Sequence, residues 1–245
     1  MQPNLDTIRK TISRDRFEAY RRSGDLDDFD VLARYLWNAM LCEALYPAMQ
    51  AFEVALRNRL YTGIASVYPA AEADCEDVTC WLDFKAPIIH PNEVHRIPDA
   101  KSELKRQGKD FTVGRLVAEL NLNFWRKLLH KPYGDRATSA RGNFWPRLVP
   151  VVFPEVDRRF NNIARISSAV DEIYAMRNRM FHHEPIFDGV LQKHGTLLRV
   201  IRWIEPQMEA TVREFDRFPE TFQLQPEGLR ERLKRVAKHE RAQPS

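Results

Sequence analysis

The segment Asp171-Glu-Ile-Tyr-Ala-Met-Arg-Asn-Arg-Met-Phe-His-His-Glu-Pro-Ile-Phe187 holds a helical apolar stripe, an arginine inside that stripe and a proline that stops it. Steps of three and four place Ile166, Val170, Ile173, Arg177 and Met180 on one face, which predicts a helix packed against a core. A guanidinium in such a row is costly to bury unless it is paired or has a task. Asn178 and His182, four apart, project together beside it. Glu184 precedes Pro185, so the helix is expected to end near His183. His182 and His183 then stand at the negative end of the helix dipole, where positive charge is favoured. Arginine, asparagine and a histidine able to carry a proton make a candidate site for a phosphate group.

The rest of the chain reads as helical too. Only 9 glycines in 245 residues, with few alternating β-branched runs, argue against sheets, so the expected class is all-α. Leu5 to Arg22 reads as one charged helix that stops at Ser23-Gly24 and, with only Ile8, Ile12 and Phe17 apolar, lies on the outside. From Asp28 to about Val67 the residues Leu36, Met40, Leu45, Met49, Phe52, Leu56 and Leu60 trace a stripe. Asp27 or Asp28 is its N-cap, and Pro47 implies a kink or two helices in series.

Prolines and few periodic residues mark 69–110 as a looped insertion with a short helix near 100–107. Thr112 caps a helix that runs through Asn121 to Leu129, and Pro154 suits the start of the helix that ends at the histidines. A further helix covers about 190–215 with Leu197, Ile201, Ile204 and Met208 inward, and Pro206 is a candidate break. Residues 226–245 form a basic amphipathic helix and tail carrying Arg230, Arg232, Lys234, Arg235 and Lys238; a soluble helix face accounts for these charges as well as a nucleic-acid contact does.

Composition bounds the function classes. Hydrophobic residues at 44% and charged residues at 29% exclude wholesale disorder, and the net charge of +4 leans only mildly toward polyanions. Three cysteines without a framework suggest a reducing compartment, and the beginning of the sequence shows no apolar leader or spanning run, so a cytoplasmic protein without a membrane anchor is expected. No Gly-rich phosphate loop, carboxylate metal cluster or Ser–His–Asp arrangement is present. Cys75, Cys80, His90 and His95 imitate a two-Cys, two-His zinc set, but the central gap is short and Pro91 interrupts the histidine pair; a polar loop is the better reading, with no metal and no cofactor. Trp81, Trp125, Trp145 and Trp203 read as core residues before they read as base-stacking ones. Arg126, Lys127, His130 and Lys131 form a basic cluster that is either a solvated face or a groove tracking an RNA backbone.

Ala55-Leu-Arg-Asn-Arg-Leu-Tyr61 echoes Ala175-Met-Arg-Asn-Arg-Met-Phe181, but Thr62 follows the first and His182 the second. Duplication and chance similarity between amphipathic helices explain the echo equally. Within the first copy, Glu53, Arg57 and Asn58 read on their own as a helix-surface ion pair and its neighbour.

Met176-Arg-Asn-Arg-Met-Phe-His-His-Glu-Pro-Ile-Phe187 resembles the signature of the Abi-like (abortive infection) proteins. Three further blocks fit in order: Glu53-Val-Ala-Leu-Arg-Asn58, Gly114-Arg-Leu-Val-Ala-Glu-Leu120 with Phe124-Trp125, and Phe144-Trp145 with Phe153-Pro154. The resemblance covers roughly residues 35–190. It implies a HEPN-like helical bundle with looped insertions, as a single domain whose core spans about 28–67 and 111–217. The family's ribonuclease motif, Arg, a polar residue, three others and His, falls on Arg177, Asn178 and His182, and the family's first-block glutamate and arginine fall on Glu53 and Arg57. The resemblance further implies metal-independent RNA cleavage through 2′-OH attack, a homodimer that brings two motifs together, and a role in antiphage or toxin–antitoxin defence. Transfer or messenger RNA would be the substrate, and an antitoxin or regulatory RNA the restraint.

Such chemistry needs a base near the 2′-OH, positive charge for the phosphorane and an acid for the leaving oxygen. One motif supplies a single proton-transfer group unless His183 serves as well, and a symmetric dimer would supply the second. The alternative is a non-catalytic RNA- or protein-binding module in which Arg177 is an ion-pair partner, with Glu53 for instance, and His182 and His183 are helix caps.

Overall fold

A computed structural model describes residues 5–68, 81–83, 88–134 and 143–239, and Cys75 and Cys80, read as part of a polar loop, lie outside them. The fold is all-α. In chain order the helices are α1 (Leu5–Ile12), α2 (Arg14–Glu18), α3 (Asp28–Val67), α4 (Pro91–Val94), α5 (Arg96–Arg106), α6 (Val113–Glu119) and α7 (Leu122–Lys127). They continue as α8 (Val149–Val152), α9 (Ile163–Phe181), α10 (Val190–Ile204), α11 (Pro206–Glu214), α12 (Phe218–Gln223) and α13 (Gln225–His239). Among the described residues the one extended pairing is an isolated bridge between Gly134 and Trp145.

Local chemistry sets most helix ends. Asp27 Oδ1 accepts from the Phe29 and Asp30 amides at 2.9 and 3.3 Å, Thr112 Oγ1 from Arg115 at 3.2 Å, and Asn121 Oδ1 from Phe124 at 3.1 Å. Each satisfies an amide that the helix leaves without an internal partner. The cap at Asn121 divides the expected 112–129 helix into α6 and α7. Pro206 does break the 190–215 segment, because it has no N–H to continue the ladder and sits well as the first residue of α11. Met208, expected inward, is 37% exposed past that break. The start expected at Pro154 is also displaced: α9 begins at Ile163, where Asn162 Oδ1 accepts from the Ala164 amide at 2.8 Å. Pro47 breaks nothing. It lies on the exposed side of a continuous α3, where water can take the carbonyl its missing N–H would have met.

The chain divides into two compact units. The first comprises Met1–Met49, Ala175–His194 and Arg213–Ser245. The single amino-terminal helix expected from the sequence is two helices, split at Ser13, whose backbone is left-handed at φ 75°. Nor does this segment lie on the outside: Phe17 and Tyr20 are buried with Val31 and Leu32, and Leu5, Ile8, Ile12 and Phe187 pack against them. Sparse apolar residues were enough because they fall three and four apart.

Ion pairs tie the same unit together. Arg21 bonds Glu18 and Asp28, Arg9 bonds Glu18, and Arg230 of α13 reaches both Asp27 and Asp30 at the start of α3. Buried His194 and Asp216 meet at 2.8 Å, with the imidazole stacked on Phe218.

The second unit comprises Gln50–Tyr174 and Gly195–Val212. Its core holds Phe52, Leu56, Leu60, Phe124, Phe153 and Ile166 together with four buried tryptophans. Each indole N–H has an acceptor: Tyr61 O for Trp81, Leu120 O for Trp125, Leu128 O for Trp145 and Asp157 for Trp203. Burial removes these rings from any role in stacking bases. Gly63 is required where it stands, since a Cβ there would lie 2.9 Å from Val152 Cγ2. Within the expected 69–110 insertion the helical part is larger than the short helix expected near 100–107, with α5 starting at Arg96 after His90 caps α4.

The pair between Arg34 and Asp25 anchors the turn after the amino-terminal helices. Their side chains are 15% and 5% exposed, Nη2 meets Oδ1 at 2.7 Å, and Arg34 also donates to Tyr20 O. The bond from Arg34 outweighs burial and holds the Asp25 carboxyl below its ordinary 3.8. A lowered folded pKa contributes stability that is present above the unfolded value and lost as pH falls through the folded one. Asp25→Asn should therefore cost about 3 kcal/mol in urea unfolding at pH 7 and much less at pH 2; an equal loss at both would mean that charge is not the cause.

Candidate active site

The site is built on how α9 ends. The His183 amide donates to Met180 O at 3.1 Å and the Glu184 amide to Arg179 O at 2.9 Å, the paired bonds of a Schellman cap. That cap needs a left-handed residue after the helix, and His183 takes the position at φ 56° where glycine is usual. A side chain there costs roughly 1–2 kcal/mol. What holds it is a clamp on the following backbone. Tyr20 Oη donates to His183 O at 3.0 Å, and Asn38 Nδ2 donates to Glu184 O and to Tyr20 Oη, each at 3.2 Å. The Ile186 amide donates to Asn38 Oδ1 at 2.7 Å. Asn38 and Tyr20 are 3% and 1% exposed. Burial pushes the Tyr20 hydroxyl up to about 12, so it remains a donor through the neutral range.

With the backbone held inward, both imidazoles stay outside. His182 and His183 are exposed and line a cleft of about 460 Å³, with Glu184 beside them. The amino-terminal segment lines the same cleft with Ser13, Asp15, Arg16, Ala19 and Tyr20. The turn at Ser13, whose Oγ accepts from the Arg16 amide, and the burial of Phe17 set that segment in place. Glu184 does more than end the helix, since Arg179 Nε lies 3.5 Å from its carboxylate.

The other expected motif residues do not line this cleft. Arg177 and Asn178 are half-buried and are not among the residues lining the cleft. The Arg177 guanidinium lies 4.3 Å over the ring of Phe181, which stands 6.3 Å from that of Tyr46. Both rings are about half exposed, at 48% and 51%. Asn178 O accepts the His182 amide at 2.9 Å, the helical bond that sets the two residues one turn apart. Glu53 and Arg57 are half-buried and Asn58 is exposed, all on the stretch of α3 assigned to the second unit.

The basic cluster read as a solvated face or an RNA groove is altered by a partner that spacing did not show. Asp171 bonds Arg126 Nη1 at 2.5 Å and His130 Nε2 at 3.1 Å, and Arg126 also lies over Tyr174. Arg126 is therefore spent on an ion pair. Lys127 is half-buried, and only Lys131 of the three cations is exposed.

Asn38, Tyr20 and Arg16 were not singled out in the sequence. A polar residue inside an apolar helical stripe was the available signal for Asn38; nothing local marks the other two. Comparison with known proteins returns no matching family model, no matching curated protein and no matching solved structure.

Two substitutions separate the clamp from the imidazoles. Asn38→Ala leaves the Ile186 amide and Glu184 carbonyl without their partner and should cost about 2–4 kcal/mol in chemical unfolding. His183→Gly relieves the left-handed strain and should gain up to about 1 kcal/mol, after the added freedom of the unfolded chain is subtracted. A loss of stability on that change would mean that the His183 side chain, not its backbone, holds the cap.

Proposed function

We propose that the chain is a metal-independent endoribonuclease of the Abi-like, HEPN type, acting in the cytoplasm in antiphage or toxin–antitoxin defence. The observation that carries this reading is the exposed pair His182 and His183 at a fixed helix end, facing a cleft large enough for a nucleotide. Histidine exchanges protons near neutral pH, and a charged arginine, Arg177, stands one turn back on the same helix.

In the proposed reaction His182 takes the proton of the ribose 2′-OH, and the oxygen attacks the adjacent phosphorus. Arginine charge stabilises the phosphorane, and the 5′-oxygen leaves with a proton from a second imidazole. That second imidazole is His183 or the His182 of a second copy in a homodimer. Asn178 orients the helix-end histidine. The products are a 2′,3′-cyclic phosphate and a 5′-hydroxyl. Among the described residues no helix is long and apolar enough to cross a membrane.

The test is product-end analysis on labelled transfer and messenger RNA, in EDTA, with wild type beside His182→Ala and Arg177→Ala. Each variant should lose about 100-fold or more in cleavage rate while its circular dichroism stays unchanged. Undiminished cleavage by His182→Ala would refute the site. RNA that shifts in gels with wild type but is never cut would leave the non-catalytic binding module as the function.

A further inference from the structure

We infer that the cleft beside His182 is a ribonucleotide phosphate site whose fixed cation is Arg16, supplied by the amino-terminal segment of the same chain. This deepens the endoribonuclease reading by naming a substrate-binding residue, and the phosphate site itself can be tested without it.

The arginines near the start of the chain divide sharply. Arg9 is bonded to Glu18 at 2.9 Å, Arg21 to Glu18 and Asp28 at 2.6 and 2.7 Å, Arg22 to Asp188 at 2.9 Å and Arg34 to Asp25 at 2.7 Å. Arg16 is exposed, and its guanidinium has no ion pair or hydrogen bond among the described residues. It lines the same cleft as the two histidines. A planar fork of donors that is always charged matches phosphate oxygens, and here it is not already spent on a carboxylate.

The placement is not that of a loose surface side chain. Arg16 sits on α2, one residue before fully buried Phe17 and four before Tyr20, whose hydroxyl is bonded to His183 O. The segment that carries the arginine is thus fastened to the backbone that carries the histidine. Two carboxylates face the same space, Asp15 and Glu184, and Glu184 is engaged by Arg179. A phosphate bound in this cleft would have Arg16, His182 and His183 among its lining groups. The volume of about 460 Å³ leaves room for the ribose attached to it.

The experiment is calorimetric titration of the full chain with inorganic phosphate and with uridine 3′-monophosphate, in wild type, Arg16→Ala, Arg16→Lys and Arg14→Ala. Arg14 is the control, a neighbouring exposed cation that does not line the cleft. Wild type should bind the nucleotide more tightly than phosphate. Arg16→Ala should weaken nucleotide binding by about ten-fold or more, Arg16→Lys should recover part of it, and Arg14→Ala should leave it unchanged. In RNA cleavage Arg16→Ala should raise KM more than it lowers kcat. Equal affinity for phosphate and nucleotide, no measurable binding to wild type, or unchanged binding to Arg16→Ala with thermal unfolding intact would each overturn the proposal. Arg16-dependent nucleotide binding in a chain that cuts no RNA would uphold the site while the endoribonuclease reading falls.

Discussion

The buried amide of Asn38 is the constraint on which the candidate site depends. A side-chain amide with 3% exposure must have both its donor and its acceptor satisfied, or its burial is unfavourable. It meets that demand with the backbone just after α9 on both sides, Glu184 O and the Ile186 amide, and with the hydroxyl of Tyr20. Three stretches of chain thereby share one set of hydrogen bonds. The left-handed conformation of His183 and the outward direction of two neighbouring imidazoles follow from it.

The clamp also changes what the amino-terminal segment is for. Tyr20 reaches the His183 carbonyl and Phe17 fills the core beneath it, so the short helix between Ser13 and Tyr20 becomes a wall of the cleft. Charge is distributed by the same geometry. A net +4 says little about ligands when most arginines close to the start are neutralised by carboxylates in their own unit. In the second unit Arg126 is likewise bonded to Asp171. The positions to examine for anion binding are those where a cation is left over among the described residues, and Arg16 is one of them.

Aromatic residues sort in the same way. The four tryptophans that could have offered stacking surfaces are buried with their N–H groups satisfied. The exposed rings next to the motif are Phe181 and Tyr46, with Arg177 over the former. The motif therefore presents two neighbouring faces on one helix end: histidines toward a cleft, and the arginine over an aromatic pair.

The all-α class, the helix ending at the histidines, the caps at Asp27 and Thr112, and the break at Pro206 were legible in the residues, whereas the cap at Asn121 was read through as helix. These depend on periodicity and on hydrogen bonds that span two to four positions. Ser13 and Pro47 misled for one shared reason. A non-glycine residue can hold a left-handed turn, and a helix can carry a proline, when the surroundings tolerate the cost, and those surroundings are not local. Sequence alone determined that Arg177, Asn178, His182 and His183 would crowd one helix end. Only the tertiary structure decided that Asn38 and Tyr20 would hold that end open and that Arg16 would line the cleft beside it. The partners involved are 148 and 163 positions apart, and which polar groups satisfy one another across such distances is settled by packing, not by spacing.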